Sequence, residues 1–448
     1  MTQRIHSFSL LLMFTALAVP AAYSNTEDAQ IIASWVQYVS DGVEVRAVIS
    51  GKCPFVELDG KQMPMFLRAA PTGEHPNRVC AARVPAGTKS IRLSGKTLPA
   101  PVDTTPGRIV VMGDTGCRVS KKHGLYQACN NSSIWPFEKV ASSAATFNPD
   151  LVIHTGDYIY RESPCPAGNK GCEGTPYGDN QATWEADWLR PSHPIHTTAP
   201  IVFLRGNHES CARAGNGWFR YLDARPYTGR CQQTTAPWLM EAGSLRMVVL
   251  DTADLKSSDK ETLSGLYTKQ LIETDKLLRS PGWLATHRPF WGFGADDDTG
   301  EAVKLTDVLQ DAVRRAGLPQ EVRLLIGAHL HLAEVLSFHK QRPPQLIVGN
   351  GGTELVRETV PPEQIDGLQI LNPQVFYQYG FVIMEPVADT NWSIVFRDVE
   401  GRVIQRCLFN GHMVDCTIQL VKKGTDTHEI FSFTAGHHPG RGRPGVLQ

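Results

Sequence analysis

Five apolar runs, each followed directly by side chains that can bind a metal ion, constrain the fold of this chain more than any other feature. Each run is short and mostly apolar, as buried strands are. The runs at residues 108–112, 151–153, 201–204, 283–285 and 322–326 lead into the segments 113–116, 156–160, 206–209, 286–289 and 327–331. Ligands of an open α/β sheet gather at the carboxyl ends of its strands, so we predict that these segments converge on one crevice.

The polar side chains in these segments are too many for a single ion that keeps an open position. They comprise two carboxylates, one amide oxygen, three imidazoles and one phenol, from Asp114, Asp157, Asn207, His287, His329, His331 and Tyr160. Two ions that share one bridging ligand would use the whole set. A carboxylate is the natural bridge because its oxygens can face both ions, and we predict that Asp157 is that bridge.

The order of the motifs resembles the calcineurin-like metallophosphoesterases, and among them the purple acid phosphatase branch. The motifs are Gly-Asp-x-Gly, Gly-Asp-x-x-Tyr, Gly-Asn-His-Glu, a lone His before Arg-Pro and a closing His-x-His. The resemblance covers residues 108–352, including the Gly-Asn-Gly-Gly segment at 349–352. Each motif alone is common, whereas the ordered set of five is specific.

The resemblance implies a role for each matching residue. One ion would be held by Asp114, Asp157, Tyr160 and His331, and the other by Asp157, Asn207, His287 and His329. His208 would lie beside the substrate and steady the phosphate or protonate the leaving oxygen. The chain departs from the family pattern at Ala328, where a glycine is usual, and at Thr286, which precedes the lone histidine.

The ligand types indicate which metals would bind. A phenolate has a free pKa of about 10, so holding one at neutral pH requires a strongly Lewis-acidic ion. This favours Fe³⁺ at the Tyr160 site. Two imidazoles and an amide suit Zn²⁺, Mn²⁺ or Fe²⁺ at the second site, and the sequence does not choose among them.

The first 24 residues are predicted to be a secretory signal peptide. Arg4 precedes an apolar stretch at residues 8–22, and small residues end at Ser24 before polar Asn25. The alternative is an uncleaved membrane anchor, which needs about 20 apolar residues, and the stretch at 8–22 is shorter than that. We therefore predict a secreted or periplasmic protein without stable membrane insertion.

The cysteines agree with export. The chain has 10 of them, and they fall into neighbouring pairs, Cys53 with Cys80, Cys117 with Cys129, Cys165 with Cys172, Cys211 with Cys231, and Cys407 with Cys416. This pattern is typical of a disulfide-stapled extracytoplasmic protein. A non-local link such as Cys117 to Cys211 stays open, and a cysteine metal site is the weaker alternative because Cys-x-x-Cys is absent from the sequence.

Periodicity divides the remaining chain. Short alternating runs at residues 31–100 predict a small all-β domain, and a proline-rich linker follows at 97–106. We therefore predict a β domain with its linker at 25–104, a catalytic domain at 105–400 and a C-terminal segment at 401–448. Helical spacing is found at residues 134–147, 263–279 and 303–316. The resemblance implies a four-layer α/β/β/α sandwich of two mixed sheets for the catalytic domain. The last segment is predicted to form a hairpin clasped by Cys407 and Cys416 and a disordered tail at 437–444.

A net charge of −1 leaves no electrostatic footprint for nucleic acid. Arg288 and His196 are predicted to contact substrate, although an internal ion pair would explain Arg288 equally well. His154 is predicted to have a core or supporting role, and Asp251 to be a turn or cap residue. The sequence does not indicate an oligomeric state.

These observations predict hydrolysis of a small-molecule phosphate ester at a two-metal site, with a metal-activated hydroxide as nucleophile. A monoester is the favoured substrate. A phosphodiester or nucleotide is the alternative within enzymes, since the same ions serve both. A metal-retaining binder without activity is the alternative outside them.

Overall fold

The computed structural model describes residues 30–254, 259–295, 302–305, 307–339, 342–388, 391–417, 420–422 and 431–433. The predicted signal peptide at 1–24 and the predicted tail at 437–444 lie outside the described residues.

The strands of the N-terminal region are short and alternate with turns, as predicted. They are β1 (Ile31–Val39), β2 (Gly42–Ile49), β3 (Phe55–Leu58), β4 (Lys61–Pro64), β5 (Phe66–Ala69), β6 (Arg78–Val84), β7 (Ile91–Leu93) and β8 (Lys96–Leu98).

The strands of the central and C-terminal regions follow along the chain. They are β9 (Ile109–Met112), β10 (Val119–Ser120), β11 (Leu125–Tyr126), β12 (Leu151–His154), β13 (Ile201–Phe203), β14 (Trp238–Ala242), β15 (Leu245–Leu250), β16 (Gly282–Thr286), β17 (Phe293–Ala295), β18 (Ala302–Lys304), β19 (Val322–Gly327), β20 (Ala333–Phe338), β21 (Gln345–Val348), β22 (Gln364–Ile365), β23 (Leu368–Phe376), β24 (Gly380–Ala388), β25 (Asn391–Asp398), β26 (Val403–Phe409), β27 (Val414–Asp415), β28 (Leu420–Lys422) and β29 (Phe431–Phe433).

The helices lie between these strands. They are α1 (Phe137–Ala145), α2 (Gln181–Trp184), α3 (His193–His196), α4 (Gly215–Tyr221), α5 (Lys260–Leu277) and α6 (Asp307–Ala316), with a π-helical turn at Glu185–Leu189 and 3-10 turns at Lys121–His123 and Asn207–Glu209. The helices α1, α5 and α6 overlap the three helical predictions. Within the described residues, no helix combines the length and the apolar character that crossing a bilayer requires.

Two mixed sheets organise the catalytic region. The first has the order β27-β26-β25-β24-β9-β12-β13-β1-β2-β6-β5, and the second has the order β14-β15-β16-β19-β21-β20-β23-β22. Neighbours β9, β12 and β13 run parallel, as do β15, β16, β19 and β21. The five predicted runs are therefore strands of two parallel blocks, and in each block the carboxyl ends lie at one edge.

Alternation along these strands builds the layers. Val111 and Ile153 of the first sheet pack with Val249 of the second in the core between the sheets. The neighbouring residues point the other way. Val152, beside Ile153, packs on α1, and Val248, beside Val249, packs on α5 and α6. Because successive side chains of a strand point to opposite faces, each sheet fills two cores. The predicted four-layer α/β/β/α sandwich is confirmed.

The N-terminal region is all-β, as predicted, but four of its strands continue the first catalytic sheet. Only β3, β4, β7 and β8 form a sheet of their own. β1 pairs in parallel with β13, with Gln37 opposite Ile201. At the other end, β26 and β27 form the predicted hairpin, and β26 pairs with β25, so the hairpin extends the same sheet.

All five cysteine pairs predicted from sequence neighbourhood form disulfides. The non-local link between Cys117 and Cys211 is therefore wrong. No cysteine is free within the described residues, so a cysteine metal site is also excluded there.

Arg68 in β5 ties the N-terminal region to the end of α4. Its Nε donates to the carbonyl of Arg220 at 3.0 Å, and its Nη2 donates to the carbonyls of Phe219 and Asp223, each at 3.0 Å. Carbonyls at a helix end lack partners within the helix, and a cation there also complements the helix dipole. The guanidinium of β5 thus caps α4.

We expect Arg68→Ala to lower the free energy of unfolding by about 2–4 kcal/mol, because it leaves buried carbonyls without donors. Equilibrium unfolding in urea under oxidising conditions measures this change. Arg402→Ala is the matched control, since the exposed Arg402 side chain pairs with Asp398 and Glu400, and an exposed pair contributes about 0–1 kcal/mol. Equal unfolding midpoints for both variants would contradict the capping role.

Candidate metal centre

The two acidic residues of the centre follow neighbouring parallel strands. Asp114 comes two residues after β9 and Asp157 three residues after β12, with φ angles of 53° and 59°. Aspartate tolerates this left-handed conformation better than most residues. The two loops also bond to each other, since the amide of Asp114 donates to Gly156 O at 3.0 Å and that of Thr115 to Asp157 O at 3.1 Å. These two hydrogen-bonded loops bring the carboxylates of Asp114 and Asp157 together.

Asp157 lies at the middle of the cluster. Its Oδ2 accepts a hydrogen bond from the Tyr160 hydroxyl at 2.6 Å and lies 3.2 Å from His287 Nε2. Its Oδ1 accepts from the backbone amide of His208 at 2.8 Å. The carboxylate therefore contacts groups from three loops.

One ligand group surrounds Asp114. Ligand atoms of Asp114, Asp157 and His331 lie within 4.8 Å of one another. The Tyr160 hydroxyl joins them, 2.9 Å from Asp114 Oδ1 and 2.8 Å from His331 Nε2. These are the four residues that the family resemblance implies for the first ion.

A second group lies on the other side of Asp157. Ligand atoms of Asp157, His287 and His329 lie within 4.8 Å of one another. Asn207 Oδ1 lies 3.2 Å from His287 Nε2. The two groups share Asp157 alone, which is the arrangement that a bridged pair of ions requires.

The ring nitrogens of two histidines are oriented by backbone carbonyls. His287 Nδ1 lies 2.9 Å from Thr155 O, and His331 Nδ1 lies 2.9 Å from Glu354 O. A carbonyl accepts, so Nδ1 carries the hydrogen, and Nε2 is the nitrogen at which a metal ion would bind. Metal-binding histidines are oriented in this way, which fixes the tautomer and increases the basicity of the ligand.

The charges of the cluster call for cations. Burial raises the pKa of Asp114 to about 8 and the pKa of Tyr160 well above its ordinary value, and Asp157 adds to both shifts. Burial opposes ionisation of Asp157 as well, but His287 and His208 hold its pKa well below the ordinary value. Two carboxylates and a phenol in one buried place are held as anions only beside compensating positive charge. The donor set fits metal ions.

Glycines in the motifs give the loops room to approach. A Cβ at Gly206 would lie 2.1 Å from Asp157 Oδ1, and one at Gly349 would lie 2.7 Å from Asp114 Oδ2. Both distances are shorter than any real contact of a Cβ atom. Any side chain at either position would displace a carboxylate of the centre.

His208 lies beside the ligands and belongs to neither group. Its ring lies on that of Tyr160, with the centroids 3.7 Å apart. Its Nδ1 is 3.0 Å from Glu162 Oε1, and its Nε2 is 4.0 Å from Asp157 Oδ2. With Tyr160, Asn207 and His329 it lines a cavity of about 120 Å³ at the centre.

Two carboxylates that support the centre were missed in the sequence. Glu209 accepts four backbone amides, from Asp157 at 3.1 Å, Tyr158 at 2.9 Å, Ile159 at 3.1 Å and Gly206 at 3.1 Å. Asp187 accepts the amide of Tyr160 at 3.1 Å and pairs with Arg161 Nε at 2.5 Å. The place of Glu209 in Gly-Asn-His-Glu was a usable signal, whereas no motif marks Asp187.

The prediction that His196 contacts substrate is corrected by the structure, which does not bring this residue to the metal centre. Its side chain is fully buried, with Nε2 at 3.0 Å from Ser192 Oγ. The rings of Trp35 and Trp188 lie 5.6 and 5.5 Å from its ring. Helix α3 turns the side chain into the core under the first sheet, so it has no access to substrate.

Of the other polar side chains considered in the sequence, one lies at the metal centre and two lie away from it. Arg288 is at the centre, with Nη1 at 2.8 Å from His329 Nε2 and with buried Nε and Nη2 that have no hydrogen-bond partner among the described residues. His154 is in the core, 3.0 Å from Thr115 Oγ1. Asp251 pairs with Arg205 at 3.1 Å and accepts the amide of Ala253, as expected of a cap residue.

Comparisons with known proteins agree with this geometry. A family model described as calcineurin-like phosphoesterase matches residues 107–333. Among solved structures, the purple acid phosphatase PPD1 from yellow lupin (Lupinus luteus) seeds is similar with a TM-score of 0.50 and 16% identity, over 84% of this chain and 74% of that one. PhoD is similar with a TM-score of 0.53 and 12% identity, over 89% and 93% of the two chains. At these identities both likenesses concern the fold. Among curated protein sequences none matches the chain.

Proposed function

The chain belongs to the calcineurin-like phosphoesterase family, and from this premise we propose that it hydrolyses phosphate monoesters at a pair of metal ions. The observation that carries the proposal is the meeting of two ligand groups at one shared carboxylate, Asp157. The Gly-Asp-x-x-Tyr motif supports placement in the purple acid phosphatase branch, since Tyr160 puts a phenol into one of the groups. Five disulfides support a secreted or periplasmic location.

The residues would divide the work as follows. Asp114, Asp157, Tyr160 and His331 would hold one ion, and Asp157, Asn207, His287 and His329 the other. Bound ions would supply Lewis acidity, which lowers the pKa of a bound water and stabilises negative charge on the phosphoryl oxygens. Fe³⁺ at the Tyr160 site and Zn²⁺, Mn²⁺ or Fe²⁺ at the second site are the proposed identities.

Arg288 is proposed to bind a phosphoryl oxygen. Its unpartnered Nε and Nη2 are buried beside His329, and a guanidinium donates to phosphate in a planar fork. The alternative of an internal ion pair loses support, because no carboxylate among the described residues pairs with it.

His208 is proposed to protonate the leaving oxygen. Glu162 and the Tyr160 ring hold its imidazole at the mouth of the cavity that the ligands line. Burial lowers the pKa of His208, although Asp157 and Glu162 act in the opposite direction. A lower pKa makes the imidazolium a stronger proton donor to an alkoxide.

Replacement of His208 should affect substrates according to their leaving groups. We expect His208→Gln to reduce kcat by about 10²–10⁴-fold for an alkyl phosphate, the usual contribution of a general acid. The loss for p-nitrophenyl phosphate should be much smaller, because nitrophenolate leaves without a proton. His412→Gln, an exposed position in the β26–β27 loop, is the control. An equal loss across all leaving groups would contradict the role of proton donor.

A substrate panel tests the proposal as a whole. With Fe³⁺ and Zn²⁺ added during refolding, p-nitrophenyl phosphate should be hydrolysed with at least about tenfold higher kcat/KM than bis(p-nitrophenyl) phosphate, because the second aryl group of a diester removes an anionic oxygen that the ions would bind. The reverse preference would favour the phosphodiesterase alternative. No turnover of either compound would reject the proposed function.

A further inference from the structure

A second cavity, of about 370 Å³, adjoins the cavity of the metal centre. The two share a wall of four residues, Ser120, Glu162, His208 and Arg213. His208, the proposed proton donor, lines both cavities, so a leaving group protonated by it would lie next to the second cavity. The second cavity is therefore in a position to bind the leaving alcohol of the phosphate ester.

The lining of the second cavity carries uncompensated positive charge. Its cationic residues are Lys121, Lys122, Arg161 and Arg213, and its carboxylates are Glu162 and Asp179. Arg161 is neutralised by buried Asp187. No carboxylate that the structure describes pairs with the ammonium group of Lys121 or Lys122, and both side chains are exposed at the cavity rim.

The two carboxylates of the lining already lie beside cationic or hydrogen-bonding groups, although Glu162 Oε1 itself accepts no hydrogen bond among the described residues. Glu162 Oε1 lies 3.0 Å from His208 Nδ1 and 3.1 Å from Arg213 Nε. Asp179 accepts from the Trp184 indole at 3.0 Å and from the amide of Asn216 at 2.8 Å. Arg213, in contrast, keeps a buried Nη1 without an acceptor among the described residues. Counted as charges, the cationic groups of the lining therefore exceed its carboxylates, which is the character of an anion site.

Hydrogen bonds and a disulfide fix the position of the turn that carries Lys121 and Lys122 relative to the metal centre. The 3-10 turn Lys121–His123 follows β10, whose Val119 donates to Tyr160 O at 3.0 Å. The amide of Lys121 donates to Ser163 Oγ at 2.8 Å. The disulfide between Cys117 and Cys129 closes the loop that contains the turn. Both lysines are thus presented at a defined distance from the metal ligands.

We propose that the second cavity binds a phosphate group carried by the leaving group, so that the preferred substrates are esters with two phosphates. This inference rests on the proposed function of the metal centre. Lysine binds phosphate as a compact point charge, and Arg213 adds a directed donor. A substrate with one phosphate at each end would place one at the ions and the other, which the leaving group carries, at Lys121 and Lys122.

A matched pair of substrates tests the inference. Propane-1,3-diol bisphosphate and propane-1,3-diol monophosphate share one skeleton, and their kcat/KM values are compared after correction for the two equivalent esters. We expect the wild type to favour the bisphosphate and Lys121→Gln/Lys122→Gln to lower the ratio by about tenfold, as two partly exposed ion pairs allow. Lys269→Gln/Lys276→Gln, which removes two exposed charges from α5, should leave the ratio unchanged.

The outcomes separate the two proposals. If the monophosphate is hydrolysed and the lysine variant keeps the wild-type ratio, the second-phosphate site is rejected while the metal centre stands. If neither compound is hydrolysed, the proposed function fails, and calorimetric titration of the metal-loaded protein with the bisphosphate decides the inference. Equal affinity of the wild type and the lysine variant for the bisphosphate would reject the second site.

Discussion

Asp157→Asn should lower phosphatase turnover by on the order of 10³-fold or more and should remove bound metal, because the variant loses the bridging anion. Asp157 Oδ1 accepts the amide of His208, so an asparagine keeps its oxygen at that position. Its amide nitrogen then replaces Oδ2, which lies beside the Tyr160 hydroxyl and His287 Nε2. An amide nitrogen carries no lone pair for a metal ion.

Elemental analysis of the purified protein, together with turnover of p-nitrophenyl phosphate, measures the effect. The wild type should retain about two ions per chain and Asp157→Asn fewer than one, whereas Asn207→Ala and His287→Ala should lose mainly the second ion. Asp41→Asn makes the same chemical change at an exposed ion pair with Arg83 and should retain both ions. Full metal content and full turnover in Asp157→Asn would end the bridging assignment.

Tyr160→Phe should abolish a visible absorption band. If Tyr160 binds Fe³⁺ as a phenolate, the purified protein is violet through charge transfer from the ring to the ion, and the variant is colourless. The hydroxyl lies 2.9 Å from Asp114 Oδ1, 2.6 Å from Asp157 Oδ2 and 2.8 Å from His331 Nε2. Its removal takes away one donor where two carboxylates and an imidazole meet, so the affinity for the first ion should also fall.

Tyr158→Phe provides the matched control for the colour. Tyr158 is two residues away and fully buried, but its hydroxyl donates to Leu204 O at 2.9 Å in the core. The loss of that hydrogen bond should cost about 1 kcal/mol of stability and leave the band intact. A colourless wild type that is fully active with Zn²⁺ or Mn²⁺ would contradict the iron assignment and leave the two-metal proposal standing.

Much of the candidate site could be predicted because its information is local. Each of Asp114, Asp157 and His287 directly follows a strand-like run, and parallel strands bring their carboxyl ends to one edge. The disulfides followed from neighbouring cysteines for a similar reason, since short loops close at low entropic cost. Glu209 is the instructive omission, because it stands inside a recognised motif yet acts on amides more than 45 residues earlier, including that of Tyr158.

His196 shows why proximity to a motif was insufficient. It lies between the second and the third metal-binding segment in sequence, but α3 directs it between Trp35 and Trp188. Trp35 belongs to β1, about 160 residues before it, so the burial of His196 depends on the pairing of β1 with β13. Sequence periodicity carries no information about which strand becomes the neighbour of another.

The sequence by itself determined the strand ends, the ligand types and the family, because each depends on residues close together in the chain. It favoured local disulfides but left a non-local link open. Only the tertiary structure decided that the N-terminal strands extend the catalytic sheet and that Glu209 and Asp187 brace the ligand loops. It also decided that Lys121 and Lys122 open onto a cavity beside His208. These features depend on contacts between distant segments, and such contacts form through packing and hydrogen bonds that no local pattern encodes.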